Sequence, residues 1–253
     1  MDELTFHRAL FRPGTIVDVG AHDGALTLPL ATLPGAHVLA FEPLPPAFAR
    51  LEAAVRAAHG GVVPPHITLR PEALGVAVAE GGARRISLDV PVVGGVAQEQ
   101  WASVAKDYTS IAADDPRVEH ILRFDVGLMA LDTLALTDVT AMKVDAEGAE
   151  EEVLRGSEAT LRRCMPVLSI EIEERHRVGS TRAVPDFLTG LGYRGFYALD
   201  GAWWPAAQFD APALQRASPS PASFEASDPY VFTFYFCPPN RLTELARLAP
   251  FGR

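Results

Sequence analysis

Cysteine is scarce in this 253-residue sequence: there are 2. Cys164 and Cys237 stand apart, with no CxxC pair and no Cys/His set at zinc spacing. That excludes a disulfide framework and a structural zinc. Basic charge is also short. Against 32 Asp+Glu there are 22 Lys+Arg, leaving a formal charge of −10, the wrong sign for wrapping a nucleic-acid backbone. No apolar run approaches the roughly 18 residues of a membrane span. The start, Met1-Asp2-Glu3-Leu4, has neither a basic nor an apolar leader region, so no secretory signal is expected. What is present is 48% hydrophobic residues, enough to bury a substantial core in one domain. The expectation is a soluble, cytoplasmic protein with no nucleic-acid partner and no membrane span.

Short apolar runs rich in β-branched residues alternate with helical patterns, which predicts an α/β, doubly wound parallel sheet. The runs are Ile16–Gly20, His37–Phe41, Ile67–Arg70, Ala141–Asp145 and Val167–Ile172. Helices are predicted over Ala25–Leu33, Pro46–His59, Glu150–Arg163 and Ala183–Leu191. Two closing strands, Tyr193–Leu199 and Tyr230–Phe236, would pair antiparallel and bring the sheet to seven strands. The stretch 75–140 is too long for a simple crossover and reads as an insertion, with short strands at Arg85–Val90 and Leu122–Gly127. The Pro/Ser-rich loop 205–229, with Pro212, Pro219, Pro221 and Pro229, is predicted to be mobile and no separate domain.

Asp18-Val19-Gly20-Ala21-His22-Asp23-Gly24 follows the first strand and opens a helix. Glycines there let the backbone turn sharply and approach a ligand, with helix N–H groups facing it. A dinucleotide fingerprint would read GxGxxG. Here three non-glycine residues separate Gly20 from Gly24, which suits a methionine-type tail better than a pyrophosphate. His22 stands where a left-handed conformation is plausible. Glu42 ends the second strand close to the ~20-residue offset at which an acid meets ribose hydroxyls. Pro43 follows and has no N–H, so Glu42 is expected not to read its own backbone. Glu72 and Ala73 fall where an adenine ring would lie.

Lys143-Val144-Asp145-Ala146-Glu147-Gly148-Ala149-Glu150 is the most informative stretch. Asp145 and Glu147 stand at the carboxyl end of a central strand, where doubly wound sheets bind ligands. Glu150, Glu151 and Glu152 read as a solvated first helical turn. Lys143, a charge within an apolar strand, calls for an acidic partner, Asp18 or Glu171. Glu171 and Glu173 alternate onto one face and need a cation, a metal or a hydroxyl. His176 follows them.

Together these blocks resemble the FkbM family of S-adenosylmethionine-dependent methyltransferases. Val17–Gly24, Phe41-Glu42-Pro43 and Met142–Glu150 running on to Gly156 carry the resemblance, with Val167–Ile172 as a looser fourth block. It implies a class I methyltransferase (Rossmann-like) fold. It further implies that Asp18, Gly20, His22 and Gly24 hold the methionine part, that Glu42-Pro43 takes the ribose, and that Glu72-Ala73 borders the adenine. Asp145 would stand near the sulfonium methyl. His22 replaces the family's usual Asn, which affects a side-chain contact and not the backbone role. Hydroxyl oxygens of polyketides and glycan sugars are the acceptors the family implies.

Asp145 or Glu147 is the expected proton acceptor, with His176 as the alternative. Asp145, Glu147, Glu171 and Glu173 could alternatively hold Mg²⁺. Gln98, Trp101, Lys106, Tyr108, Arg117 and His120 in the insertion are candidates for an acceptor wall, or for a contact between subunits. A nicotinamide-dependent oxidoreductase and a catalytically silent cofactor-binding scaffold are the rival readings.

Overall fold

The computed structural model describes residues 1–76, 84–99, 117–215 and 230–252. In chain order the first half runs α1 (Glu3–Ala9), β1 (Gly14–Val19), α2 (Thr27–Ala31), β2 (Ala36–Phe41), α3 (Pro45–Ala58), β3 (Ile67–Arg70) and β4 (Ala73–Leu74). The insertion adds β5 (Arg84–Val93), β6 (Val96–Ala97) and β7 (Val118–Met129). There follow β8 (Val139–Val144), α4 (Glu150–Arg155), α5 (Glu158–Cys164), β9 (Val167–Glu171) and α6 (Ser180–Gly190), then β10 (Arg194–Leu199), β11 (Ala202–Pro205) and β12 (Thr233–Cys237).

The main sheet has 8 strands in the order β11-β10-β12-β9-β8-β1-β2-β3. β1 pairs parallel with both β2 and β8, and β9 extends the parallel run beyond β8. The chain moves outward from β1 to β3, then returns to build β8 and β9 on the other side of β1. The switch point, where such sheets open a crevice at their carboxyl edge, therefore lies between β1 and β8. The closing pair is antiparallel, as its sequence predicts.

The eighth strand is β11, which the sequence pattern understates. A tight turn at Asp200 (φ 50°) and Gly201 (φ 74°) reverses the chain between β10 and β11. Asp-Gly is a strong hairpin signal in its own right. β11 buries Trp203 fully, against Phe6 and Tyr235.

Two further expectations change. The helix expected over Glu150–Arg163 is two helices that part at Gly156 and Ser157 (φ −117°, ψ 5°), and there Gly156 passes the Gly75 carbonyl so closely that a Cβ would sit 1.9 Å from its oxygen. Asp132 then caps α5, accepting from the N–H groups of Ala159 and Thr160 at 2.8 Å each. The short strands expected in the insertion are one long antiparallel hairpin, β5 with β7, in a separate 4-stranded sheet. Its Leu88, Val90 and Val126 pack on Leu44 and Ala47 beside α3. Of the loop prolines, Pro212 lies in a short helix over Ala211–Leu214; Pro219, Pro221 and Pro229 lie outside the described residues.

Side chains in register across the sheet point to the same face. One face carries Ile16, Val38, Ala141 and Val167 toward the carboxyl half, packed with Phe6 and Leu10 beside α1. Two residues further on, the same face turns polar: Asp18, Lys143 and Ser169 stand side by side. Two residues beyond those come Gly20, Asp145 and Glu171. The core ends and the site begins along the same strands.

Candidate active site

Over this carboxyl edge lies a cavity of about 390 Å³, a size common for small-molecule sites. Asp18, Gly20, His22, Glu42, Pro43, Glu72, Ala73, Asp145 and Glu147 all line it. The register that brings β1, β2 and β8 together makes neighbours of residues more than a hundred positions apart. Gly24 and His176 are not among the lining residues. Gly24 (φ 88°) shapes the turn instead, donating its N–H to the Ala21 carbonyl at 2.8 Å.

Gly20 (φ 73°) has no room for a side chain: a Cβ would lie 2.1 Å from the Asp145 carbonyl oxygen. His22 adopts the left-handed conformation, at φ 51°. The first three N–H groups of the turn, however, do not face the cavity unpartnered. Gly20 and Ala21 both donate to the Phe41 carbonyl, and His22 donates to Glu42 Oε2 at 2.8 Å.

Glu42 also reads its own backbone, contrary to the argument from Pro43: Oε1 accepts from the Leu44 N–H at 2.9 Å, one residue past the proline. Its carboxylate is thus pinned on both oxygens, and each retains a lone pair. Burial raises its pKa, opposed by these two N–H bonds.

Lys143 donates to the Gly20 carbonyl at 2.7 Å and lies 3.4 Å from Asp145 and 3.9 Å from Asp18. Of its two expected partners, Asp18 is thus present, joined by a carbonyl and a second acid that pattern alone did not suggest. Burial by itself would lower the lysine pKa. The carboxylates of Asp145, Asp18, Glu3 and Glu171 more than offset this and hold it above the usual range. Asp18 is fully buried; its Oδ2 accepts from the Thr27 hydroxyl at 2.6 Å, while Oδ1, the oxygen facing Lys143 at 3.9 Å, has no hydrogen-bond donor among the described residues.

Glu150 is not on a solvated face. It is 2% exposed, and its Oε1 accepts from Ala146 and Gly148 N–H, at 3.2 and 2.9 Å. It ties down the loop that presents Asp145 and Glu147, and burial pushes its pKa up to about 7. Within that loop Glu147 takes φ 51°. Behind it His176, 4% exposed, places Nε2 at 3.2 Å from Glu147 and 3.4 Å from Glu173.

The cation that Glu173 requires is Arg175, whose fork donates to both carboxylate oxygens at 2.7 Å. Tyr230 donates a third bond. Burial would raise the Glu173 pKa, but these bonds hold it below the usual range. Glu171 moves the other way, raised by burial and by the charges of Asp145, Glu173 and Glu147. Among the described residues no three His, Cys, Asp or Glu side chains converge as a metal-ligand set, so the Mg²⁺ alternative gains no support.

From the insertion, Leu88 and Glu99 reach the cavity, and Glu99 pairs with Arg50 of α3. Gln98, Arg117 and His120 do not line it; Trp101, Lys106 and Tyr108 fall outside the described residues. Glu3 of α1, which no sequence signal marks, does line it. No helix among the described residues is long and apolar enough to cross a membrane.

A family model described as the methyltransferase FkbM domain matches residues 18–194, from Asp18 through every strand that borders the cavity. Among solved structures, the chain is similar to the FkbM methyltransferase of Methylobacillus flagellatus KT, with a TM-score of 0.54 and 14% identity, over 92% of this chain and 50% of that one. The chain therefore spans half the length of that protein. It is also similar to a putative rRNA-methylase from Clostridium thermocellum, at TM-score 0.49 and 11% identity over 93% of each chain. The first likeness shows the fold, that of class I methyltransferases. No curated protein matches the sequence.

Proposed function

The chain belongs to the FkbM methyltransferase family, and from that premise we propose that it moves the methyl group of S-adenosylmethionine onto a hydroxyl oxygen of a small molecule or a glycan sugar. The observation that carries this reading is Glu42, pinned by two N–H groups in a cavity whose ends differ in chemistry. Its remaining lone pairs suit two ribose hydroxyls. Toward β3 and β4 the wall is Ala73, Leu74 and Leu88, an apolar surface for a flat base. There Glu72 Oε2 is buried without a hydrogen-bond donor among the described residues and suits an amino group. Toward β8, Asp18 Oδ1 lies 3.9 Å from Lys143 and has no hydrogen-bond donor among the described residues; a buried acceptor left so is costly and suits a closer ammonium. The residues present fit an adenosyl amino acid.

When bound, S-adenosylmethionine supplies a methyl on a good leaving group, so alignment does much of the catalytic work. The chain's own part is to hold geometry and take a proton. Lys143 joins the Gly20 turn to Asp145, and Glu150 fixes the loop after it. Asp145 and Glu147 are the cavity carboxylates we assign to the acceptor's hydroxyl proton, with His176 acting behind Glu147. Glu99 would form the insertion's share of the acceptor wall. Free Cys164 and Cys237 are in keeping with a reducing, cytoplasmic setting.

The test is calorimetric titration with S-adenosylhomocysteine against NADH, followed by labelled-methyl transfer into acceptor extracts. Binding of NADH alone would overturn the reading, and homocysteine-product binding with no labelled acceptor would favour a silent scaffold. Asp145→Asn and Glu147→Gln are expected to cut turnover with product affinity unchanged. Near-full turnover in both would remove the proton assignment.

A further inference from the structure

We infer that Glu3, carried by the N-terminal helix, binds the ammonium group of the cofactor's amino-acid tail, so that α1 is part of the cofactor site as well as a cover for the sheet. The inference rests on the adenosyl reading above and adds a residue that neither the resemblance nor the strand ends supply.

Sheet register locates Glu3 along the cavity. Its Oε1 accepts the Ser169 hydroxyl at 2.6 Å. Ser169 lies beside Lys143, and Lys143 beside Asp18, in one row across β9, β8 and β1. Glu72 follows β3, four strands away from β9, which at ~4.8 Å per strand is roughly 19 Å. Glu3 thus stands at the Asp18 and Asp145 end, where the tail belongs once Glu42 holds the ribose.

Its carboxylate is oriented but not saturated. Ser169 is its hydrogen-bond donor among the described residues. The single hydroxyl proton of Ser169 points to Glu3, so the bond between Ser169 Oγ and His7 Nε2, at 2.9 Å, requires the histidine to donate. His7 is buried and uncharged: burial, and then the charge of Lys143, pull its pKa down to about 3. A neutral His7–Ser169 chain therefore aims one Glu3 oxygen and leaves the other for a ligand.

Charge points the same way. Glu3, Asp18 and Asp145 line this end together with Lys143, whose ammonium directs two of its three donors to Gly20 and Asp145 and lies 3.9 Å from Asp18. Burial raises the Glu3 pKa and the charges of Asp145 and Asp18 add to this, partly opposed by Lys143 and Ser169. A second cation would relieve three carboxylates at once.

Wild type, Glu3→Gln and Glu3→Asp are titrated with S-adenosylhomocysteine and with 5′-methylthioadenosine, which keeps the nucleoside and thioether but has no amino-acid tail. Glu3→Gln is expected to weaken S-adenosylhomocysteine roughly tenfold or more, the scale of a hydrogen bond to a charged group, with methylthioadenosine held within about twofold. Glu3→Asp should recover part of the loss. In wild type, amide exchange over Phe6–Leu10 should slow with S-adenosylhomocysteine and not with methylthioadenosine, and Glu3→Gln should erase that difference. Equal losses for both compounds would reduce Glu3 to a structural residue and overturn the inference, as would no loss for either. Failure of the wild type to bind both compounds would instead refute the adenosyl reading.

Discussion

Replacing Glu42 with Gln tests fold and function at one atom. In the native site, one carboxylate oxygen accepts from His22 N–H and the other from Leu44 N–H. A glutamine has one oxygen and one NH₂, so whichever way it turns, a donor faces a donor. One buried N–H is left without an acceptor, at a cost of about 1–3 kcal/mol. Loss of the charge returns part of the burial penalty that raises the Glu42 pKa, which places the net loss near the lower end, about 1–2 kcal/mol. For a chain of this size that lowers Tm by roughly 2–8 °C. The ligand loses more, because the surviving lone pairs no longer belong to an anion: roughly 10–100-fold in affinity for S-adenosylhomocysteine. Thermal unfolding without ligand and calorimetric titration with it read the two effects separately. An unchanged Tm together with affinity within about twofold of wild type would refute the ribose assignment and the pinning argument together.

Gly20→Ala forces a left-handed alanine into the Asp145 carbonyl and is expected to cost about 2–5 kcal/mol in urea unfolding. Gly179→Ala, at φ 85° with nothing within 4 Å of its Cβ, should cost only about 1–2 kcal/mol; equal losses would discount the close approach. Glu150 titrates at the ordinary carboxyl value of 4.5 when unfolded and is raised by burial to about 7 when folded. A raised acid contributes stability below the unfolded value and loses it as pH rises through the folded one. Stability of Glu150→Gln relative to wild type should therefore climb between pH 4.5 and 7 and level off above, measured as paired unfolding curves; a flat difference would contradict the burial. Arg175→Ala leaves buried Glu173 with Tyr230 alone from its three strong donors. With the arginine itself 41% exposed, a loss of roughly 1–3 kcal/mol is expected by chemical denaturation.

Much of the parallel sheet was legible because its signals are local. A β-branched run bounded by Gly or Pro specifies a strand whatever lies beside it, and β3 is found where Ile67–Arg70 predicts it. Gly20, Glu42, Asp145 and Glu147 were legible for a related reason: acids and glycines at the carboxyl ends of such runs must emerge at one edge of the sheet. The Asp200-Gly201 turn is equally local, but the strand after it, Ala202–Pro205, is short and ends in proline, so its own pattern is weak. Glu150 misled because an acid in a first helical turn normally faces water, and only the fold of the preceding loop shows that it turns inward onto two N–H groups.

By itself, the order of residues determined that an α/β sheet would form, that an acid-rich crevice would open at the ends of β1, β2 and β8, and which family's blocks it carries. Tertiary structure alone decided who shares that crevice. Glu3 meets Ser169, Lys143 meets Asp18, and His176 backs Glu147 through strand register and the docking of α1. Such contacts depend on chain segments brought together over long separations, and no local period or propensity encodes them.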